Sequence, residues 1–186
     1  MTEQLRPSQL MQDLGVIQAG DDVLARPARP FDLPAEQHTA QHILDRLNDA
    51  LDRIGNVHDF SKGMGLAAPQ LGMSRAAAIV RPPDAGPVIL LNPRVTAASA
   101  DLDEQYEGCL SFFDVRGMVP RSRHITVRHT TLDGLICTSD FNLGLARLIA
   151  HEIDHVNGVL YTQRMRSGLT LIPVAEYRGT GQAWVY

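Results

Sequence analysis

The chain has 186 residues, 44% of them hydrophobic and 20% charged, a composition that fills one good core and excludes disordered, fibrous and two-domain architectures. Seventeen Lys and Arg against twenty-one Asp and Glu leave a formal charge of −4, and with no basic block this speaks against direct binding to DNA. The opening MTEQLRPSQLMQDLG sets no basic flank before an apolar run, and no apolar stretch is long enough to span a bilayer, so the expectation is a single domain over residues 1–186, not membrane-spanning, in the cytoplasm. In that compartment Cys109 and Cys137 are free thiols.

Residues 1–34 carry Pro7, Pro27, Pro30 and Pro34 among short apolar stretches, which predicts a segment wrapped over a surface with little regular structure of its own. From Ala35 to Ile54 the residues Ile43, Leu44, Leu47, Leu51 and Ile54 recur at three- and four-residue spacing, and Gly55 follows. That pattern predicts an amphipathic helix. Gly63-Met64-Gly65-Leu66-Ala67-Ala68-Pro69-Gln70 is too rich in glycine and small residues to start a helix; it suits a tight turn or a backbone that passes close to a ligand. Short β-like runs follow at 76–80, 88–91, 125–131 and 135–139, with Leu132-Asp133-Gly134 as a hairpin turn between the last two. Asn142 to Asn157 returns to helical spacing through Leu145, Leu148, Ile149, Ile153 and Val156, with Gly158 just past its end. Beyond Ser167, LTLIPVAEY has the look of a last strand. Strands between helices at either end predict an α+β fold with antiparallel sheets, not alternating βαβ units.

The second helix contains His151-Glu152-Ile153-Asp154-His155. Two residues four apart are about 400° around a helix and roughly 6 Å along it, so both imidazoles leave one face at a separation a single cation can bridge. Glu152 is turned by about 100° from His151, which places it beside the metal as a base and not a ligand. His38 and His42 also stand four apart, but without the following Glu and in a polar stretch, so there the reading is a solvated helix face. Two imidazoles leave a metal short of three protein ligands. Tyr161 holds the position at which one protease signature has its third histidine. Two candidates remain open on the residues alone: Glu176, 21 residues after His155, and Cys109, in Glu107-Gly108-Cys109-Leu110-Ser111.

Taken in order, G-x-G-L-A-A-x-Q at 63–70, E-G-C-L-S at 107–111 and H-E-x-D-H at 151–155 resemble the peptide deformylase family. Asn92-Pro93, the RGMVPR stretch from Arg116 to Arg121 and the Asp133-Gly134 turn also fall where that family has similar residues, and the resemblance runs from about residue 15 to about 165. It implies antiparallel β-sheets packed around a central helix that carries the H-E-x-x-H motif. It implies that Cys109, His151 and His155 bind one divalent metal, commonly Fe²⁺, with Zn²⁺, Ni²⁺ or Co²⁺ able to replace it. Glu152 would then act as base and afterwards as acid, while the side-chain amide of Gln70 and the backbone N–H of Leu110 stabilise the oxyanion. The implied reaction removes the formyl group from the N-terminal formyl-methionine of a nascent polypeptide and releases formate. Gly65 would give the peptide backbone contacts; Met64, Arg116 and Leu148 would shape the pocket for the methionine side chain. A transient encounter with the ribosome follows from where such a substrate emerges, and Arg121 would pair with Glu107 to brace the cysteine segment. Ala150 stands where many members have Gln, and Phe112-Phe113 occupies a stretch that often contains proline. Both departures bear on pocket shape and not on the reaction.

Overall fold

The computed structural model describes residues 6–177; the ends of the expected 1–186 domain lie outside the described residues. The N-terminal segment is more regular than its prolines suggest, since Pro7 opens a short helix α1 (Pro7–Asp13). Proline suits the first helical position, where its missing N–H is not needed and its fixed φ is already helical. Met11 anchors α1 in the core, and Ser8 ties it to Asp114, through its N–H at 2.8 Å and its hydroxyl at 2.5 Å. The predicted helix is α2 (Gln37–Gly55), and its buried residues include Ile43, Leu44, Leu47, Leu51 and Ile54. His38 and His42 are exposed on it, as a solvated face requires.

The small-residue segment is a strand, β1 (Met64–Ala67), running into a single 3₁₀ turn over Ala68–Leu71. Then come β2 (Ala77–Arg81), β3 (Val88–Ala98), β4 (Leu102–Cys109), β5 (Phe112–Ser122), β6 (His124–Thr130) and β7 (Ile136–Asn142). The chain continues through α3 (Leu143–Val156) and a 3₁₀ turn (Tyr161–Arg164). The expected last strand shrinks to the two residues of β8 (Ile172–Pro173), paired with β5. The strands form a five-stranded sheet in the order β1-β2-β3-β6-β7 and a three-stranded sheet in the order β4-β5-β8. Every named strand pair is antiparallel, and the β6–β7 hairpin turns at Gly134 with φ 86°.

Successive side chains of a strand point to opposite faces, and β2 shows what this does here. Ala77 and Ile79 pack with Leu44, Leu47 and Leu51 of α2, while Ala78 and Val80 pack with Ile149 and Ile153 of α3. A strand covered on both faces needs no polar side, which explains its unbroken apolar run. α3 is thereby held against β1, β2 and β3 and also touches β5 of the second sheet.

Candidate metal centre and adjoining cavity

Cys109 is the last residue of β4, immediately before the Leu110-Ser111 turn into β5. The β4–β5 register shifts between Glu107 and Cys109, and such an irregularity re-aims the side chain beside it. Gly108 permits this. A Cβ there would stand 2.6–2.7 Å from guanidinium atoms of Arg116, which lies across it.

His151 and His155 leave α3 toward Cys109, their ring centroids 5.0 Å apart. Cys109 Sγ lies 3.1 Å from His155 Nε2, and one ligand atom from each of the three buried residues falls within 4.8 Å of the others. Bond lengths of about 2.0–2.3 Å around a tetrahedral cation place its ligand atoms roughly 3–4 Å apart, so the three could hold one ion with the widest pair drawn in by less than about an ångström. Glu176 is exposed on the turn after β8 and is not part of this cluster. The donor set is one thiolate and two imidazoles, a combination suited to first-row divalent metals. Among the described residues, two buried side-chain polar atoms lack a hydrogen-bond partner, Glu152 Oε2 and His155 Nδ1. Both belong to the H-E-x-x-H motif, and buried groups of this kind are retained where a ligand or a reaction uses them.

Behind the ligands, Glu107 is a hub. Arg121 grips its carboxylate through Nε and Nη2 at 2.9 and 3.0 Å, Arg147 Nη1 donates at 2.6 Å, and His151 Nδ1 lies 3.0 Å away. Arg121 continues to Asp154, inside the motif, at 2.6 Å, so the expected Arg121–Glu107 pair is present and reaches one element further. Burial alone would raise the Glu107 carboxyl, but the charge of Arg121 and the bonds from His151 and Arg121 outweigh it and hold it well below the usual carboxylate range. For His151, burial disfavours the cation, yet its hydrogen bonds with Cys109 and Glu107 carry its pKa upward; His155, buried beside that charge, is pushed down. The His151 ring also stacks on Tyr161, with centroids 6.1 Å apart at 24°.

A cavity of about 430 Å³ opens beside this cluster. Cys109, Leu110, His151 and Glu152 line it, and so do Gln70, Gly65, Met64, Leu148 and Arg116, while His155 is 1% exposed and is not among its lining residues. Burial pushes the Glu152 carboxyl up to about 7, against the pull of the His151 charge. Gln70 Oε1 accepts from the Ala67 N–H at 2.9 Å, and this fixes which way the amide points. Its Nε2 donates to Ser111 Oγ at 3.2 Å and faces Cys109 Sγ at 3.7 Å. Arg116 Nη1 donates to the carbonyls of Phe113 and Val115, both at 2.9 Å, with its guanidinium 4.9 Å from the Phe113 ring centroid. It makes no surface ion pair among the described residues and is part of the cavity wall. Residues 17–19 pass behind this site as a strap: Ile17 N–H donates to Gln70 O at 2.8 Å and Ala19 N–H to Ser111 O at 2.7 Å. Between them Gln18 Nε2 reaches Leu110 O at 3.2 Å.

Two features escaped sequence reasoning. Arg147 is fully buried behind the ligands, and its one signal is its place four residues before His151 on the same helical stripe. The aromatic lining of the cavity, His58 and Phe60 against Phe113 and Tyr106 against Tyr177, comes from three separate segments and leaves no local trace.

Gly65 is needed for space. A Cβ on it would stand 2.7 Å from Cγ and Cδ of Glu152, so Gly65→Ala is expected to displace the carboxylate while sparing all three metal ligands. The expected outcome is a displaced Glu152 carboxylate with the metal uptake of the Cys109, His151 and His155 cluster unchanged, checked by a crystal structure and metal analysis on one preparation.

Residues 14–169 match the family model described as polypeptide deformylase. Peptide deformylase 2 of Nostoc sp. is 33% identical over 89% of this chain and 93% of its own length. For peptide deformylase 1 of Bacillus subtilis the identity is 35%, over 84% and 97%. Among solved structures, the Met-Ala-Ser-bound class I type b peptide deformylase of Acinetobacter baumannii superposes with a TM-score of 0.71 at 30% identity, over 81% of this chain and 96% of that one. The peptide deformylase of Thermotoga maritima gives a TM-score of 0.70 at 29% identity over 81% and 96%.

Proposed function

The chain belongs to the peptide deformylase family, and on that premise we propose that it removes the N-formyl group from the N-terminal formyl-methionine of nascent polypeptides, releasing formate and a free amine. The observation that carries this reading is the partnerless, buried Glu152 carboxylate oxygen beside the Cys109, His151 and His155 cluster, in a residue that lines the cavity. One divalent cation held by those three residues, Fe²⁺ in our reading, supplies Lewis-acid activation of water and of the formyl carbonyl.

Glu152 takes the proton from the attacking water and returns it to the departing amine, acting as base and then as acid. The Gln70 amide and the Leu110 N–H, one on the turn after β1 and the other beside Cys109, receive the charge that develops on the carbonyl oxygen. β1 is the outer strand of its sheet, and Met64 and Gly65 of that strand line the cavity. An extended peptide can add antiparallel along this edge, Gly65 meeting its backbone and Met64, Leu148 and Arg116 enclosing the methionine side chain. α3 is then the central helix of one catalytic domain, with the two sheets packed around it. No helix of the described residues is long and apolar enough to cross a membrane; a nascent-chain substrate supports the reading of a cytoplasmic protein in transient contact with translating ribosomes.

The test is formate release from formyl-Met-Ala-Ser by protein purified without oxygen. Activity should disappear on chelation and return with Fe²⁺; metal-loaded protein that releases no formate would refute the proposal. Gln70→Ala should lower kcat by about 10²–10³ with metal retained, the usual effect of deleting one oxyanion donor.

A further inference from the structure

We infer that Arg147 is a positioning residue for the metal centre, acting on His151 through the Glu107 carboxylate; the inference rests on the reading that Cys109, His151 and His155 hold the cation. A carboxylate accepts at about four lone-pair positions and donates nothing. All four positions on Glu107 have partners. Oε1 accepts from Arg121 Nε at 2.9 Å and Arg147 Nη1 at 2.6 Å, and Oε2 accepts from Arg121 Nη2 at 3.0 Å, which leaves its remaining position facing His151 Nδ1 at 3.0 Å. His151 Nδ1 therefore carries the hydrogen. The other ring nitrogen, Nε2, is the one whose lone pair a bound cation would take in place of a proton, the arrangement by which a buried carboxylate fixes both the tautomer and the orientation of a metal-binding histidine.

Arg121 alone grips both oxygens and treats them alike. Arg147 removes that symmetry by bonding Oε1 alone, and its second and third anchors are backbone: Nη1 also donates to Val119 O at 3.0 Å, and Nη2 to Asp103 O at 2.6 Å. Those carbonyls belong to β5 and β4, so the carboxylate is registered against the sheet that carries Cys109 as well as against the helix that carries both histidines. Arg147 lies four residues before His151 and eight before His155, on one stripe of α3. Fold stability alone does not call for the Glu107–Arg147 pair here, since a buried ion pair replaced as a whole by apolar side chains is commonly no loss.

The experiment compares Co²⁺-loaded wild type, Arg147→Met, Arg147→Lys and a control, Val127→Ala, which removes buried apolar atoms from β6, in a cluster that contains neither Cys109 nor any member of the Glu107 hydrogen-bond chain. Three quantities are read: the rate of Co²⁺ transfer to excess EDTA, the Co²⁺ visible spectrum and the thermal midpoint. We expect Arg147→Met to lose Co²⁺ about 10–100-fold faster with an altered spectrum. A lysine offers one donor group in place of the fork, and Arg147→Lys should lie between it and wild type. Val127→Ala should lower the midpoint with the metal-loss rate and spectrum of wild type. Unchanged loss rates in the Arg147 variants overturn the inference, and so does equal acceleration in Val127→Ala. If Arg147→Met does not fold, Arg147→Lys decides by the same criterion. Wild type that takes up no Co²⁺, or Cys109→Ala that still holds it as tightly, refutes the metal assignment itself and the inference with it.

Discussion

Replacing Glu152 by Ala is expected to lower formate release by about 10²–10⁴, the range for loss of a positioned general base and acid, while the protein keeps its metal. The separation of these two readouts follows from the site. Glu152 shares a helix with His151 and His155 but is outside the cluster of ligand atoms, and its Oε2 has no partner among the described residues. Removing the carboxyl therefore breaks no bond that holds a ligand. Glu152→Gln should fall equally far, because an amide of the same shape cannot accept the proton. The check is kcat and metal content measured on the same sample. A metal-loaded Glu152→Ala within tenfold of wild type would remove Glu152 from the mechanism.

The second large effect is on stability and metal together. Glu107→Ala takes the shared acceptor from Arg121, Arg147 and His151, all buried. Breaking a buried pair by removing one partner typically costs about 3–5 kcal/mol, because the remaining charge is left uncompensated. For a chain of this size that corresponds to roughly 6–20 °C in the thermal midpoint. Two cations stand on this one carboxylate, so the upper half of the range is expected, together with loss of bound metal as His151 loses its orientation. Thermal denaturation and metal analysis test both; a midpoint within 2 °C of wild type would mean that Arg121 and Arg147 find other acceptors.

How far the fold can be read from its letters depends on which residues face inward. α2, β2, β3 and β6 announce themselves because their buried positions are apolar, α3 through Leu148, Ile149, Ile153 and Val156, and β7 through the hairpin turn before it and Ile136, which the structure leaves exposed. β4 and β5 do not. Their inward positions are filled by Glu107 and Cys109 on one strand and by Phe113, Gly117, Val119 and Arg121 on the other, so the period of two is present in burial but hidden in hydrophobicity. α1 has seven residues and one buried side chain, too few for a period to show. For the site, the metal motif speaks through its spacing, and the cysteine and glutamine segments speak through their order along the chain. Arg147 signals only its place on the His151 stripe: a single arginine on an apolar helix reads as a surface residue, and acceptors supplied by β4 and β5, distant in sequence, explain its burial.

The strap of residues 17–19 gives the site a history as well as a shape. Its two backbone bonds end on Gln70 and on Ser111, and Gln18 reaches Leu110, so chain positions up to about 90 residues apart are closed by a single short segment near the start. Contacts of such long separation are the slow ones to form. The strap is therefore expected to close late in folding, bringing Gln70 and Leu110 into place together, and pulse labelling of the Ile17 and Ala19 amides during refolding would test this: protection as early as that of the α2 amides would refute it.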